Sequence, residues 1–304
     1  AGPIVRYKTI AAELRDRHHT LAKAADGVGR FTVGLAKKVI IADNIGRIWQ
    51  DTLQSSDPSV LLAWLGLIAF SLQIYFDFSG YSDMAIGLGR ILGFTFPENF
   101  NYPYISQTVT EFWRRWNITL GQWFRDYVYI PLGGNRVPYV TWVRNVLVVW
   151  FLTGLWHGAA WNFALWGTYF GVLMIIEKAF LRDLLYRLPQ AFRHTYLLFA
   201  VVLSWTLFEL GSVDAIVDYL RMLFGLDGLA FANDESIYAL RSNALLYIVA
   251  IVGSIPVLGW VKRRLGDRSF VQPYLVPVSQ AVLLIVTWAY LVDSTFSPFL
   301  YFRF

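Results

Sequence analysis

Cysteine is absent from this chain. Its absence excludes a disulfide framework, a thiolate metal site and an acyl relay through a cysteine of the chain's own, so a nucleophile must come from elsewhere. Charge is scarce too: 15% of the 304 residues are Asp, Glu, Lys or Arg, while 56% are apolar and 17% aromatic. Together with a mean hydropathy of +0.46, this lies outside the range of soluble globular domains and describes an integral membrane protein. No basic run is long enough to speak for nucleic acid as a partner. The net charge of +5 falls between apolar stretches, where it reads as topology and contact with membrane lipids. There is no internal repeat, low-complexity tract or soluble-domain linker. The chain opens on Ala1-Gly2-Pro3, without an initiator Met or a signal peptide. It is expected to be a single membrane domain over residues 1–304 and the C-terminal part of a longer protein.

What is present in quantity is apolar sequence. Ser59–Phe76, Asn145–Ile176, Tyr196–Gly211, Ala244–Gly259 and Tyr274–Val292 have about the length a hydrocarbon core requires. The second is long enough for two short or tilted passes, and six to eight helices crossing or entering the bilayer are expected. Residues 178–195 carry Lys178, Arg182, Arg187 and Arg193 against one acid, whereas residues 212–243 carry five acids against Arg221 and Arg241. An excess of positive charge marks cytoplasmic loops. The first of these, and the basic stretch 260–273 with Lys262, Arg263, Arg264 and Arg268, are therefore expected inside, and 212–243 outside. Residues 4–24 are polar and helix-compatible, and 27–49, with Lys37 and Lys38 among apolar positions, read as an interfacial amphipathic helix. Between residues 94 and 144 the pattern breaks at Pro97, Pro103, Pro131, Gly133, Gly134 and Pro138 among many aromatics and arginines. Such irregular backbone is tolerated at membrane depth where it lines a cavity. Short interfacial or re-entrant helices around a water-accessible space are therefore expected.

A stretch with glycines at 87, 89 and 93 imitates a dinucleotide loop, but its spacing is wrong and no strand precedes it. Ala85, Gly89 and Gly93 read instead as a small-residue stripe for close helix approach. Polar residues at membrane depth carry more information, because each needs a partner or water. In QIYFDFSGYSDMAIG, Asp77 and Asp83 follow an apolar span, with Tyr81 one turn beyond Asp77. They either tie helices together or line a tunnel. In EFWRRWNITLGQWFRDYVYIPLGGNR, Glu111, Arg114, Arg115, Asn117, Arg125 and Asp126 lie among aromatics, and Glu111 with Arg115 has the spacing of a helical ion pair. In GLWHGAAWNF, His157 interrupts an apolar stretch. The other histidines, His18, His19 and His194, lie in polar segments without ligand spacing to it. A metal is thus not expected, and a structural role and proton handling both stay open.

The combination of YFDFSGYSDMAIG, FWRRWNITLGQWFRDYVYIPLGGNR and TGLWHGAAWNFALWG resembles the membrane-bound O-acyltransferase family, in its bacterial branch associated with alginate O-acetylation. The resemblance covers nearly the whole chain, although family members carry further N-terminal membrane helices. It implies an all-α polytopic helical bundle around a tunnel, in the bacterial inner membrane. It also implies that His157 and Asn117 are catalytic. Polysaccharide-acetylating members commonly place a second histidine where RRWN has Asn117; other branches have asparagine there. The implied chemistry is acyl transfer to a hydroxyl, with no bound cofactor and with acetyl-CoA or another acetyl thioester as donor. His157 would act as general base, and Asn117 would donate hydrogen bonds to the carbonyl or oxyanion. Trp113, Arg114, Arg115, Trp116, Trp156 and Trp161 are candidate tunnel walls beside Asp77, Tyr81 and Asp83. The implied partners are a periplasmic polysaccharide acetyltransferase or polymer-synthesis complex. Alternatives are D-alanyl transfer to a cell-wall polymer, or a transporter or scaffold of an export complex without chemistry.

Overall fold

The computed structural model describes residues 2–226, 228–257, 259, 260, 272–293 and 300, and among them the chain is helical without a strand. Among the described residues five helices are long and apolar enough to cross a membrane: Val60–Ile91, Trp161–Arg187, Gln190–Glu209, Asp234–Gly253 and Leu275–Val292. The stretch Asn145–Ile176 is indeed two helices, α7 (Tyr139–His157) and α8 (Trp161–Ile176). The span expected at Ser59–Phe76 runs on much further, as the 32-residue α4 (Val60–Ile91). It does so because Asp77 and Asp83 find partners and so need not end the helix. The basic stretch 260–273 lies largely outside the described residues.

The chain divides into two compact units. One is built from Ala1–Arg47, Leu72–Tyr102 and Ala244–Arg303. In it α1 (Tyr7–Arg15) precedes α2 (Leu21–Ala36), which runs through a π-helical segment, Lys37–Ala42, into the first turn of α3 (Asp43–Gln54), whose remainder belongs to the other unit. Residues 27–49 fall in parts of two helices and the π-helical segment between them, and their lysines are paired. Lys38 is 5% exposed, and its ammonium lies 2.8 Å from Asp77 and 2.7 Å from Asp43. Lys37 sits 2.7 Å from Asp83. Charges that suggest a headgroup contact are matched within the unit, and unpaired burial would be costly.

Glycines bring α2 and α4 together, but a stripe other than the expected one makes the contact. A Cβ built on Gly27 would lie 2.6 Å from the Gly87 carbonyl oxygen, and one on Gly34 would lie 2.6 Å from that of Gly80. The two pairs are two helical turns apart on each helix, and their order is antiparallel. Gly89 faces the Phe96 ring instead, and Gly93, with φ +87°, follows the end of α4 beside His19. Small residues permit this approach, and backbone packing drives it where lipid competes with every apolar contact.

The other unit contains Ile48–Ser71 and Pro103–Asn243. As expected, residues 94–144 form short pieces: a 3₁₀ turn at Pro103–Ile105, α5 (Val109–Arg115), α6 (Ile118–Phe124) and a π-helical turn at Arg125–Tyr129. After α7 and α8 come α9 (Arg182–Arg187), α10 (Gln190–Glu209) and α11 (Val213–Leu223). The core is aromatic, with Trp49, Phe70, Phe112, Trp166, Phe170 and Trp205 fully buried. Trp116 packs on Trp205 with ring centroids 5.2 Å apart, and Phe70 bridges Trp205 and Trp49. Hydrogen bonds from Trp64 Nε1 to the Leu223 carbonyl (3.0 Å) and from the Tyr219 hydroxyl to the Ala63 carbonyl (2.8 Å) tie α11 to the start of α4.

The Gly34–Gly80 approach generates a test. Gly34→Leu forces a side chain against a carbonyl and is expected to destabilise the protein by about 1–3 kcal/mol. Gly211→Ala, at a site with nothing within 4 Å, is the neutral comparison. Thermal unfolding of the detergent-solubilised protein reads both, and equal stability of the two variants contradicts the close crossing.

Candidate functional site

The start of α5 is unusually well held. Thr108 caps it by accepting from the Glu111 N–H at 3.0 Å, and Glu111 reaches back to the Gln107 N–H at 3.0 Å, a reciprocal capping arrangement. The expected Glu111–Arg115 pair is present at 3.0 Å. Trp116 ends the helix in an extended conformation. Asn117 then adopts φ 42°, ψ 54°, in the left-handed region, and is 4% exposed. A side chain with a Cβ enters this region at a cost, which asparagine bears better than most. Its side chain does not cap α6, so helix capping does not account for the strained conformation. Strain of this sort clusters at functional positions.

His157 is placed by the α7–α8 hairpin. Gly154 lets the Phe163 carbonyl approach α7, Gly167 receives the Trp150 carbonyl, and a Cβ on Gly171 would lie 3.1 Å from Trp150 Cβ. The hairpin therefore packs backbone against backbone. His157 is the last residue of α7 and is 9% exposed. Three rings stand nearly perpendicular to the imidazole: Trp156 at 5.0 Å, Trp166 at 5.1 Å and Phe208 at 5.3 Å. Phe208 belongs to α10, and the Asn162 amide donates to its carbonyl at 3.0 Å. The box around His157 is thus pinned by a hydrogen bond as well as by packing. Such a wall excludes water and raises the strength of any polar contact inside it.

Beside the hairpin lies a cavity of about 900 Å³. Trp113 and Arg114 from α5, Asn117, Trp150 and Thr153 from α7, and Lys178 contribute to its wall. Its charged lining residues are Arg114, Arg125 and Lys178, without a carboxylate. Lys178 is held with its ammonium 3.9 Å from the Trp142 ring centroid. Of the residues singled out from sequence, Trp113, Arg114, Asn117 and Arg125 line this cavity. His157, Arg115, Trp116, Trp156 and Trp161 do not. Arg115 is engaged by Glu111; Trp116 is buried in the aromatic core; Trp161 is 78% exposed at the start of α8. His157 relates to the cavity in two ways. Thr153 precedes it by one turn on the same helix, and the Trp166 ring touches both the imidazole and cavity-lining Trp113, 5.5 Å away.

Asp77, Tyr81 and Asp83 belong to the other unit. Asp77, 1% exposed, is paired with Lys38 and accepts the Leu300 N–H at 2.8 Å. Asp83 accepts from Arg30 Nε at 2.9 Å and Nη2 at 2.6 Å, besides its pair with Lys37. Burial alone would lower the Arg30 guanidinium; the adjacent Asp83 and Glu98 carboxylates reverse this and raise it. Tyr81 packs against Gly2. Among the described residues, no group of three or more His, Asp or Glu side chains is placed to hold a metal ion.

Sequence reasoning missed Thr153, Lys178, Trp166 and Phe208. Thr153 was one helical turn from His157 and could have been found by that spacing. Phe208, some fifty residues along the chain, carried no such signal.

Comparison with known proteins gives concordant results. The model of MBOAT, the membrane-bound O-acyltransferase family, matches residues 1–214. A probable alginate O-acetylase AlgI of Azotobacter vinelandii is 39% identical over 100% of this chain and 67% of its own length. The peptidoglycan O-acetyltransferase of Helicobacter pylori is 30% identical over 100% of this chain and 62% of its own. The teichoic acid D-alanyltransferase of Bacillus subtilis is 32% identical over 59% of this chain and 48% of its own. The chain spans about two thirds of the length of the relatives matched end to end.

The left-handed backbone at Asn117 can be tested apart from its amide. Asn117→Gly is expected to keep or slightly raise thermal stability, because glycine adopts this region freely. Asn117→Val is expected to cost about 1–2 kcal/mol. Equal melting temperatures for these two variants in detergent would mean that the residue is not held in this conformation.

Proposed function

The chain belongs to the membrane-bound O-acyltransferase family, and from that premise we propose that it passes acetyl groups from a cytoplasmic thioester, acetyl-CoA or an equivalent, across the bacterial inner membrane for O-acetylation of an exported polysaccharide such as alginate. The observation that carries this reading is the strained, buried Asn117 on the wall of a cavity whose hairpin also holds His157 inside a box of rings. Arg114 and Lys178 suit a donor whose carrier bears phosphate, because cations on a wall without a carboxylate favour an anionic ligand; the third cation, Arg125, is paired with Asp126 at 2.9 Å. Acetyl over D-alanyl is supported by extent: the two acetyl-transferring relatives match the whole chain and the D-alanyl-transferring one a little over half. A transporter or scaffold without chemistry gives no reason for an asparagine to be held in a costly conformation at the cavity wall.

In this mechanism the acceptor hydroxyl attacks the thioester carbonyl carbon while His157 takes its proton. The Asn117 amide donates to the carbonyl oxygen as it becomes an oxyanion. Collapse breaks the carbon–sulfur bond, the imidazolium returns the proton to the departing thiolate, and the products are an acetyl ester and a free thiol. The surrounding rings keep water from hydrolysing the thioester. The immediate acceptor is a hydroxyl of the polymer or of a periplasmic acetyltransferase that serves it, with the polymer-synthesis complex and membrane lipids as surroundings.

His157→Ala is expected to lower acetyl transfer by about 10²–10⁴-fold, the usual worth of a general base. His157→Gln is expected to do little better, since an amide reproduces hydrogen bonds but takes no proton at neutral pH. The measurement is acetyl content of the exported polymer in cells carrying each full-length variant at matched membrane levels. Near-normal acetylation with glutamine would sink the general-base role.

A further inference from the structure

Glu177 ends the apolar run of α8, where an acid reads simply as the point at which a helix leaves the bilayer. The structure uses it otherwise. It is 4% exposed and opens a π-helical turn, Glu177–Leu181. Its carboxylate is turned toward α5, some seventy residues earlier in the chain. Oε1 accepts the Val109 N–H at 2.6 Å, and Oε2 accepts both the Thr110 N–H and the Thr110 hydroxyl at 3.2 Å. The Tyr196 hydroxyl of α10 donates to Oε1 at 3.4 Å.

The first amides of a helix have no partner within it. In α5 those of Val109 and Thr110 are both taken by Glu177, and that of Glu111 by Thr108. A short helix of seven residues has little stability of its own, so its position is set by what holds its ends. What α5 carries is the cavity wall: Thr110, Trp113 and Arg114 line the cavity, and Asn117 follows directly. The residue after Glu177 is Lys178, on the same wall. One buried carboxylate thus sets the first turn of the segment leading to Asn117 and stands beside the cation that faces it.

We propose that Glu177 is a positioning residue of the transfer site: by holding the first turn of α5 it fixes where Trp113, Arg114 and Asn117 stand against the substrate. This rests on the acyltransferase reading above and extends it to a residue that contacts none of the reacting atoms. It acts through geometry, so the effect falls mainly on turnover and, through Arg114, to a smaller extent on donor binding.

Two variants test it in the full-length protein, reconstituted in vesicles and assayed with acetyl-CoA. Glu177→Gln keeps the shape but places an NH₂ against a backbone N–H. Glu177→Asp keeps both oxygens and the charge, but retracts them by one carbon–carbon bond, about 1.5 Å. Both are expected to lower kcat at least about tenfold per folded molecule, since a misplacement of about 1 Å at such a site can cost about 10²-fold. The KM for the donor is expected to rise by a smaller factor than kcat falls, since Arg114 moves with α5 while Lys178 keeps its place. Hydrogen exchange at residues 109–118 is expected to accelerate in both. A kcat within about twofold of the unaltered protein, or a loss of kcat with unchanged exchange at 109–118, overturns the proposal. Should the glutamine variant not fold, the aspartate variant decides alone. If the unaltered protein transfers no acetyl group, the acyltransferase reading has failed, whereas activity retained in the variants defeats only the role of Glu177.

Discussion

Two backbone carbonyls pressed into two glycines hold the α7–α8 hairpin: that of Phe163 on Gly154, and that of Trp150 on Gly167. Any side chain at either position would meet main chain, which cannot move aside as a flexible side chain can. From this crossing the rest of the second unit follows. It sets Trp166 against His157, places Trp150 and Thr153 on the cavity wall, and carries Glu177 to the point where it reaches α5. A hydrophobic core in water could tolerate looser packing here. In lipid the apolar driving force between helices is weak, and close contact has to supply the specificity.

The same constraint explains the ion pairs of the first unit. Lys37, Lys38, Arg30, Asp77 and Asp83 are matched one against another between α2, its π-helical continuation and α4. Buried ion pairs contribute little net stability, but removing one partner leaves an uncompensated charge and is costly. They therefore act as register marks that let α2 and α4 meet only with Gly27 opposite Gly87 and Gly34 opposite Gly80.

How much of this could be read from residues alone depended on the range of the interaction. Helix lengths, the break at 94–144 and the Glu111–Arg115 pair are local, and periodicity and spacing reported them. The partners of Lys37 and Lys38 were not legible because the carboxylates lie mainly some forty residues away, and a lysine whose partner is distant in sequence looks like a headgroup contact. The choice of glycine stripe failed similarly: Ala85, Gly89 and Gly93 are spaced as well as Gly80 and Gly87, and only the partner helix decides between them. At the site, His157 stood out by its surroundings and Asn117 by its motif. The left-handed backbone of Asn117 is a tertiary property without a local signature, and the role of Glu177 depends on two amides 67 and 68 positions distant.

The central claim is that Asn117, on the cavity wall, and His157, inside its box of rings, serve one reacting centre. The most direct test is a double-mutant cycle on acetyl transfer by the full-length protein in vesicles, with kcat/KM measured for Asn117→Ala, His157→Ala and the pair together. Residues that act as a unit on one transition state are grossly non-additive. The account predicts that the double variant is no slower than the worse single variant, within about twofold. Losses that simply multiply would mean that the two residues act independently, and would contradict a shared transfer site.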